Sequence, residues 1–116
     1  MPAHQRYSHA WERLWLAVVY LATTAAPLRD RALDAYENHL SFLSPQEFKT
    51  DSQELFMKLQ KLVRTILERA ESNPAPYNLE LHGGRVEIAK RKIRDSTGQK
   101  IAKMIVELYS RCEDQD

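Results

Sequence analysis

Apolar residues recur at intervals of three and four along most of this sequence, and that spacing marks one face of an α-helix. Four long runs show it, within residues 8–22, 27–43, 51–72 and 96–112. A shorter run over residues 85–94 fits a helix too, although the alternation around Val86 and Ile88 leaves a strand open. The pattern predicts an all-α fold: a single-domain helical bundle of four main helices plus one or two short helices.

Helix-start signals stand at three points in the chain. Each joins a capping residue to a Glu or Gln three positions later, and they are Ser44-Pro45-Gln46-Glu47, Asp51-Ser52-Gln53-Glu54 and Ser96-Thr97-Gly98-Gln99. The first predicts a short helical turn that ends near Lys49, and the other two predict the starts of long helices. Pro27 predicts the start of the second helix, because a proline in the first turn of a helix costs no backbone hydrogen bond.

The length of 116 residues, with 43% hydrophobic positions, suits one compact domain. A single cysteine, Cys112, excludes an intramolecular disulfide framework. We expect one domain over residues 1–116, with mobile termini at 1–7 and 113–116. The main loop is expected at 73–84, where two prolines and two glycines fall.

The longest apolar stretch runs from Leu14 to Ala22 and is too short for a membrane span, which needs about 20 residues. A cleaved signal that includes residues 14–26 is an alternative, since arginines precede the stretch and Thr24-Ala25-Ala26 is made of small residues. The charge of Glu12 at its edge and a long polar lead-in favour a buried helix instead. We therefore expect a cytoplasmic protein with no membrane segment.

The first helix carries two tryptophans one turn apart, Trp11 and Trp15, and it is apolar on its other side as well. A helix that is apolar all round is normally buried on several sides, so we expect it to be the central helix of the bundle. A small bundle leaves part of such a helix uncovered, which provides apolar surface for a partner. Trp11, Trp15 and Tyr20 are the candidate protein interface, and the expected partner is a second copy of the chain, as a homodimer or other homo-oligomer, or a different protein. Large aromatic residues at helical spacing are usually core residues, so packing of both tryptophans in the core is the simpler interpretation of this pair.

Basic residues are concentrated in residues 85–103, which hold seven Lys and Arg against two acidic residues, although the whole chain has a net charge of only +1. Such a cluster attracts phosphate backbones through charge and counterion release. The candidate contacts are Arg85, Lys90, Arg91, Lys92 and Arg94. Nucleic-acid binding is therefore the alternative function. The simpler interpretation is a solvated basic face whose charge balances that of the acidic C-terminal end.

No pattern in the sequence supports catalysis. His9 and Glu12 share one helix face, but a single such pair supplies too few ligands for a metal site. An arginine and a histidine also serve helical ribonucleases that resemble the HEPN family, but seven residues separate Arg31 from His39 and the spacing in that family is shorter. Cys112 lies in the last turn of a helix, which disfavours a thiolate. We predict no catalytic residue, no metal, no cofactor and no small-molecule substrate.

Four short segments mark the first half of the chain: Trp11-Glu12-Arg13-Leu14, Ala35-Tyr36, His39-Leu40, and Leu43 with Pro45. Through them the chain resembles small all-helical bacterial proteins. That resemblance implies a helical fold and carries no activity. The apolar surface of the first helix, and not this resemblance, predicts the function: a small non-enzymatic interaction or regulatory protein that self-associates through an apolar helix face.

Overall fold

The computed structural model describes residues 8–72 and 84–113 and shows no strand there, which confirms the all-α prediction. Within these ranges the five α-helices are α1 (Ser8–Thr23), α2 (Leu28–His39), α3 (Thr50–Ser72), α4 (Gly84–Lys92) and α5 (Asp95–Glu113), and a 3₁₀ turn (Pro45–Glu47) precedes α3. Of the two alternatives that the sequence left open for this segment, the structure shows the helix, α4, and not the strand. The predictions for residues 1–7, 73–83 and 114–116 lie outside the described residues, whereas Gly84 and Glu113 belong to α4 and α5.

Local sequence explains most of the helix starts. The backbone N–H of Ser44 donates to Oε2 of Glu47 over 2.8 Å, so the predicted capping box forms at the 3₁₀ turn. Pro27 comes one residue before α2, and its carbonyl accepts two N–H groups of the first turn. Helices α3 and α5 begin one residue before the predicted caps, Asp51 and Ser96, which therefore lie in the first turn.

Helices α2 and α5 form the centre of the bundle, with α1 on one side of them and α3 and α4 on the other. The prediction that the first helix is central is therefore wrong, because α1 packs mainly against α2 and α5 at the edge of the bundle. Its core-facing stripe consists of Ala10, Leu14, Ala17 and Leu21, which are at most 7% exposed. This stripe supplies the contact with both neighbours, and the tryptophans lie beside it.

The two central helices touch backbone to backbone at Gly98 of α5. A Cβ atom built on Gly98 would lie 2.5 Å from Cα and 2.8 Å from Cβ of Arg29 in α2. Carbon atoms in contact normally keep about 3.5–4.0 Å apart. Glycine is therefore required at this crossing for its lack of a side chain.

The described core is one continuous cluster to which all five helices contribute. Phe48, which follows the 3₁₀ turn, stacks on Phe56 of α3 with ring centroids 4.4 Å apart. Arg111 of α5 donates to the carbonyl of Asp51 over 2.8 Å and so ties the end of α5 to the start of α3. This framework fixes the positions of two surface grooves, one on each side of the central helices.

Candidate functional site

The exposed sides of α1 and α5 meet in an apolar groove. It encloses about 660 Å³, and its apolar lining includes Val18 and Ala22 from α1 and Ala102 and Val106 from α5. The helices run antiparallel: Trp11 near the start of α1 packs against Tyr109 near the end of α5, and the end of α1 lines the groove together with residues from Gln99 onward. The groove therefore follows two neighbouring helices along their length.

Two tryptophans extend this groove toward the end of α5. The rings of Trp11 and Trp15 pack against Tyr109, with centroid distances of 6.1 and 5.8 Å. Trp11 is 40% exposed, Trp15 is 45% exposed and Val106 is 49% exposed, so neither tryptophan is a core residue. The surface is termed the α1–α5 face, and it comprises Trp11, Trp15, Val18, Ala22, Ala102, Val106 and Tyr109.

Tyr20, the third predicted interface residue, has a different neighbour. Its hydroxyl donates to Oδ2 of Asp34 in α2 over 3.0 Å, and its ring centroid lies 6.1 Å from that of His39. Burial, followed by the hydrogen bond to the Asp34 carboxylate, raises the pKa of Tyr20. Tyr20 thus ties α1 to α2 and is not brought together with the two tryptophans.

Lys90 is withdrawn from the basic surface that the sequence suggested. Its Nζ lies 2.8 Å from Oδ2 of Asp34 and 2.7 Å from Oε1 of Glu87, and its side chain is 13% exposed. Burial lowers the pKa of Lys90, but hydrogen bonds to the two carboxylates outweigh this effect and leave the pKa raised. Because α4 packs this side chain toward α2, Lys90 joins the two helices and its charge is already paired.

Two other predicted basic residues line a second groove, which lies between α3 and α4. Lys92 and Arg94 border it together with Lys58, Lys61 and Arg69 of α3. This surface is termed the basic groove, and it also encloses about 660 Å³. The structure thus combines part of the predicted basic segment with a helix that the sequence analysis did not connect to it.

Sequence reasoning missed the contribution of α3. Lys58, Lys61 and Arg69 share one stripe of an amphipathic helix, and that spacing was the available signal. The groove itself depends on how α4 packs against α3, which periodicity does not reveal. Arg91 is exposed but does not line the groove, and the side chain of Arg85 lies outside the described residues.

Arg13 holds the C-terminal end of α2. It donates to the carbonyl of Asn38 over 3.2 Å and to Nδ1 of His39 over 3.1 Å. Burial, followed by the charge of Arg13, lowers the pKa of His39. Arg31 donates instead to the carbonyl of Ala26 over 2.7 Å. His39 therefore has Arg13 rather than Arg31 as its partner, and both arginines bind backbone carbonyls.

The remaining candidates for chemistry lie apart from one another. Cys112 is 7% exposed, and burial raises the pKa of its thiol to about 11, so little thiolate exists at neutral pH. His9 bonds through Nδ1 to Oε1 of Glu47 over 2.6 Å. In the described parts of the chain, no group of three His, Cys, Asp or Glu side chains is placed to hold a metal ion.

Comparison of the chain with protein-family models, curated proteins and solved structures gives no significant match. Within residues 8–72 and 84–113, no helix has both the length and the apolar character needed to cross a membrane. Among the described residues, the features that point to a function are two surfaces, the α1–α5 face and the basic groove.

Proposed function

We propose that this protein is a small, non-enzymatic cytoplasmic interaction protein that forms a homodimer through the α1–α5 face. The observation that carries the proposal is the exposure of three large apolar side chains on one surface: 40% for Trp11, 45% for Trp15 and 49% for Val106. Tryptophan is enriched among the residues that dominate binding energy, because its large ring loses much water contact when a partner covers it. A partner that covers this face gains about 25 cal/mol for each Å² of apolar surface removed from water.

Charged residues beside the face favour a second copy of the same chain as the partner. Lys103 and Glu107 lie one turn apart on the α5 side of the groove and carry opposite charges, and Glu107 also pairs with Arg111 of its own helix over 2.9 Å. A two-fold axis near Val106 would set the α5 helices of two copies antiparallel and bring Lys103 of one copy toward Glu107 of the second. The surface is thus self-complementary in charge, as an isologous interface requires.

Light scattering coupled to size-exclusion chromatography tests the homodimer over a range of protein concentrations and at low and high salt. We expect the mass to rise from one chain toward two as the concentration increases. High salt should not dissociate the dimer, because screening weakens exposed charges and leaves apolar burial in place. A mass of one chain at every concentration would contradict the proposal.

Val106→Glu tests the face directly, and Met57→Glu is its matched control. Val106 is 49% exposed and Met57 on α3 is 46% exposed, so a single chain accommodates either glutamate in water. We expect Val106→Glu to raise the dissociation constant at least about tenfold, or about 1.4 kcal/mol, because the dimer would desolvate the new charge. Met57→Glu should leave the constant unchanged. An equal loss in both variants would place the interface elsewhere.

Exchange of the two charges tests the antiparallel arrangement. Lys103→Glu sets like charges against Glu107 of the second copy and should weaken the dimer. The double variant Lys103→Glu/Glu107→Lys should form a tighter dimer than either single variant, because opposite charges face each other again, and the loss of the pair between Glu107 and Arg111 is common to it and to Glu107→Lys. If the double variant stays as weak as the single one, the two copies are not arranged in this way.

Nucleic-acid binding through Arg85, Lys90, Arg91, Lys92 and Arg94 stays the alternative, and the ion pairs of Lys90 count against it. The same chromatography with short RNA and DNA tests this function, because phosphate-driven binding weakens steeply as salt rises. A one-chain mass that increases only with nucleic acid at low salt would favour this alternative over the homodimer.

A further inference from the structure

The basic groove between α3 and α4 has an apolar floor. The floor consists of Leu62, Ile66 and Ala70 from α3, with Ala89 and Ile93 on the opposite side. These positions repeat every four residues on both sides, so the floor follows two neighbouring helices. Leu62 and Ile66 are only partly buried, and their free surface lies in the groove.

Cationic side chains border this floor, and no acidic side chain of the described residues does so. They are Lys58, Lys61, Arg69, Lys92 and Arg94. Lys58 lies 3.5 Å from Glu54, but both side chains are mostly exposed and the pair contributes little. In the part of the chain that the structure describes, Lys61 and Arg94 form no ion pair. Arg69 and Lys92 have partners within the chain, so the charge that the groove offers a ligand is mainly that of Lys61 and Arg94.

We propose that the basic groove docks an acidic amphipathic helix of a partner protein. Such a helix carries one apolar stripe with carboxylates along its edges, which complements an apolar floor between cationic rims. The furrow between two packed helices also accepts a third helix, whose ridges of side chains enter it. Docking covers Leu62 and Ile66 and brings carboxylates to Lys61 and Arg94.

The rim also has the length of a short helix. From Lys58 to Arg69, α3 rises by about 17 Å, which corresponds to three turns of a bound helix. An amphipathic helix places three to four apolar residues on one side every two turns. Three turns therefore supply enough apolar side chains to cover the floor and enough flanking positions to reach both rims.

The composition of the floor favours a protein helix over nucleic acid. Single strands bind where their bases stack on aromatic rings, and among the described residues no aromatic side chain lines this groove. A duplex backbone is held by charge and would leave Leu62 and Ile66 in contact with water. The net charge of +1 also gives the chain little long-range attraction for nucleic acid.

The basic groove is separate from the proposed dimer interface. No residue lines both the basic groove and the groove of the α1–α5 face, and α1 packs mainly against α2 and α5 rather than against α3 and α4. Partner docking in the groove therefore does not require the homodimer, and either proposal can fail while the other stands.

A synthetic acidic peptide tests the docking proposal on the full chain. The probe carries leucines at intervals of three and four with glutamates on both flanks, and fluorescence anisotropy reports its binding. Three control probes are a peptide with the same leucines flanked by lysines, poly-glutamate, and a short single-stranded RNA. We expect saturable micromolar binding of the acidic probe and at least about tenfold weaker binding of each control. Equal binding of poly-glutamate, or tighter binding of RNA, would overturn the proposal.

Charge reversal at the rim locates the site. Lys61→Glu and Arg94→Glu should each weaken binding of the acidic probe about fivefold or more, because each turns an attractive charge into a repulsive one. Arg91→Glu is the matched control, since Arg91 is exposed near the same groove but does not line it. Full affinity in both rim variants, or an equal loss in the Arg91 variant, would refute the site.

A floor variant distinguishes docking of a helix from attraction by charge alone. Ile66→Gln removes apolar surface and leaves every rim charge in place, so it should weaken the leucine-bearing probe and leave poly-glutamate unaffected. Thermal unfolding by circular dichroism identifies the temperature at which each variant is folded, and binding is compared there. An acidic probe that binds Ile66→Gln as tightly as the wild type would exclude the apolar floor from the site.

Discussion

Gly98→Ala is a substitution for which helix propensity and packing make opposite predictions. Alanine is better than glycine in a helix interior by about 1 kcal/mol, so propensity alone predicts a more stable α5. In the structure, the new Cβ would lie 2.5 Å from Cα, 2.8 Å from Cβ and 3.1 Å from N of Arg29. Because Cα and N belong to the backbone, no change of rotamer relieves the overlap. Helices α2 and α5 would have to separate.

The separation needed is about 1 Å, which is the difference between the 2.5 Å approach and an ordinary carbon contact of about 3.5 Å. A gap of that size loses roughly a quarter to a half of the attraction between facing atoms. Overpacking of a core costs about 1–3 kcal/mol, and a backbone clash belongs at the upper end. With the propensity gain of about 1 kcal/mol subtracted, the free energy of unfolding should fall by about 2 kcal/mol. For a domain of this size, that lowers Tm by about 8 °C.

Thermal and urea unfolding followed by circular dichroism measure this effect. Lys100→Ala, an exposed position on the same helix, is the control and should shift Tm by no more than about 2 °C. Gly98→Val should be less stable than Gly98→Ala, because its side chain is larger. A Tm for Gly98→Ala above that of the wild type would refute the reasoning, since propensity would then outweigh the contact.

Three further predictions concern an ion pair and two titrating groups. Lys90→Ala removes the ammonium group that pairs with Asp34, and it should lower the free energy of unfolding, measured in urea, by about 2 kcal/mol. A decrease below about 0.5 kcal/mol would mean that solvent screens this pair as it screens an exposed ion pair. Because folding lowers the pKa of His39, the unfolded chain binds a proton at this residue more readily than the folded chain does. His39 therefore stabilises the fold fully above pH 6.5, its ordinary pKa, and this stabilisation is lost as the pH falls toward the lowered pKa of the folded chain. Thermal melting curves should show that Tm falls less on acidification in His39→Gln than in the wild type. An equal fall of Tm in both proteins would contradict this assignment. The Cys112 thiol, with its pKa of about 11, should react with iodoacetamide much more slowly in the folded chain than in urea; equal rates would show that the thiol is open.

The long helical runs were predictable because each has an apolar stripe, and the runs that begin at residues 27, 51 and 96 also carry a start signal. The runs over residues 51–72 and 96–112 correspond to α3 and α5, whose ends differ from the predicted ends by at most one residue. Periodicity does not say which stripe faces which helix when a helix is apolar all round. Packing of α1 against α2 and α5 buries Leu14 and leaves Trp15 45% exposed, and this difference arises only when the helices assemble.

The candidate sites, too, were predictable only in part. Two large aromatic residues one turn apart, Trp11 and Trp15, could be picked out from the sequence alone. Lys90 and Lys92 look equivalent in the sequence, but α4 turns the first toward Asp34 and the second into the basic groove. The contribution of Lys61 to that groove was hidden because α3 precedes α4 in the chain and meets it only in the folded molecule.

The edge position of α1 has a kinetic consequence. A helix that packs mainly on one side can detach while the other helices keep their mutual contacts, and such local opening requires less free energy than global unfolding. Amide protons of α1 should therefore exchange with deuterium faster than those of α5, which packs against three helices. A second copy that covers Trp11 and Trp15 would suppress this opening. Slower exchange in α1 as protein concentration rises would then measure the association from the amides of a single helix.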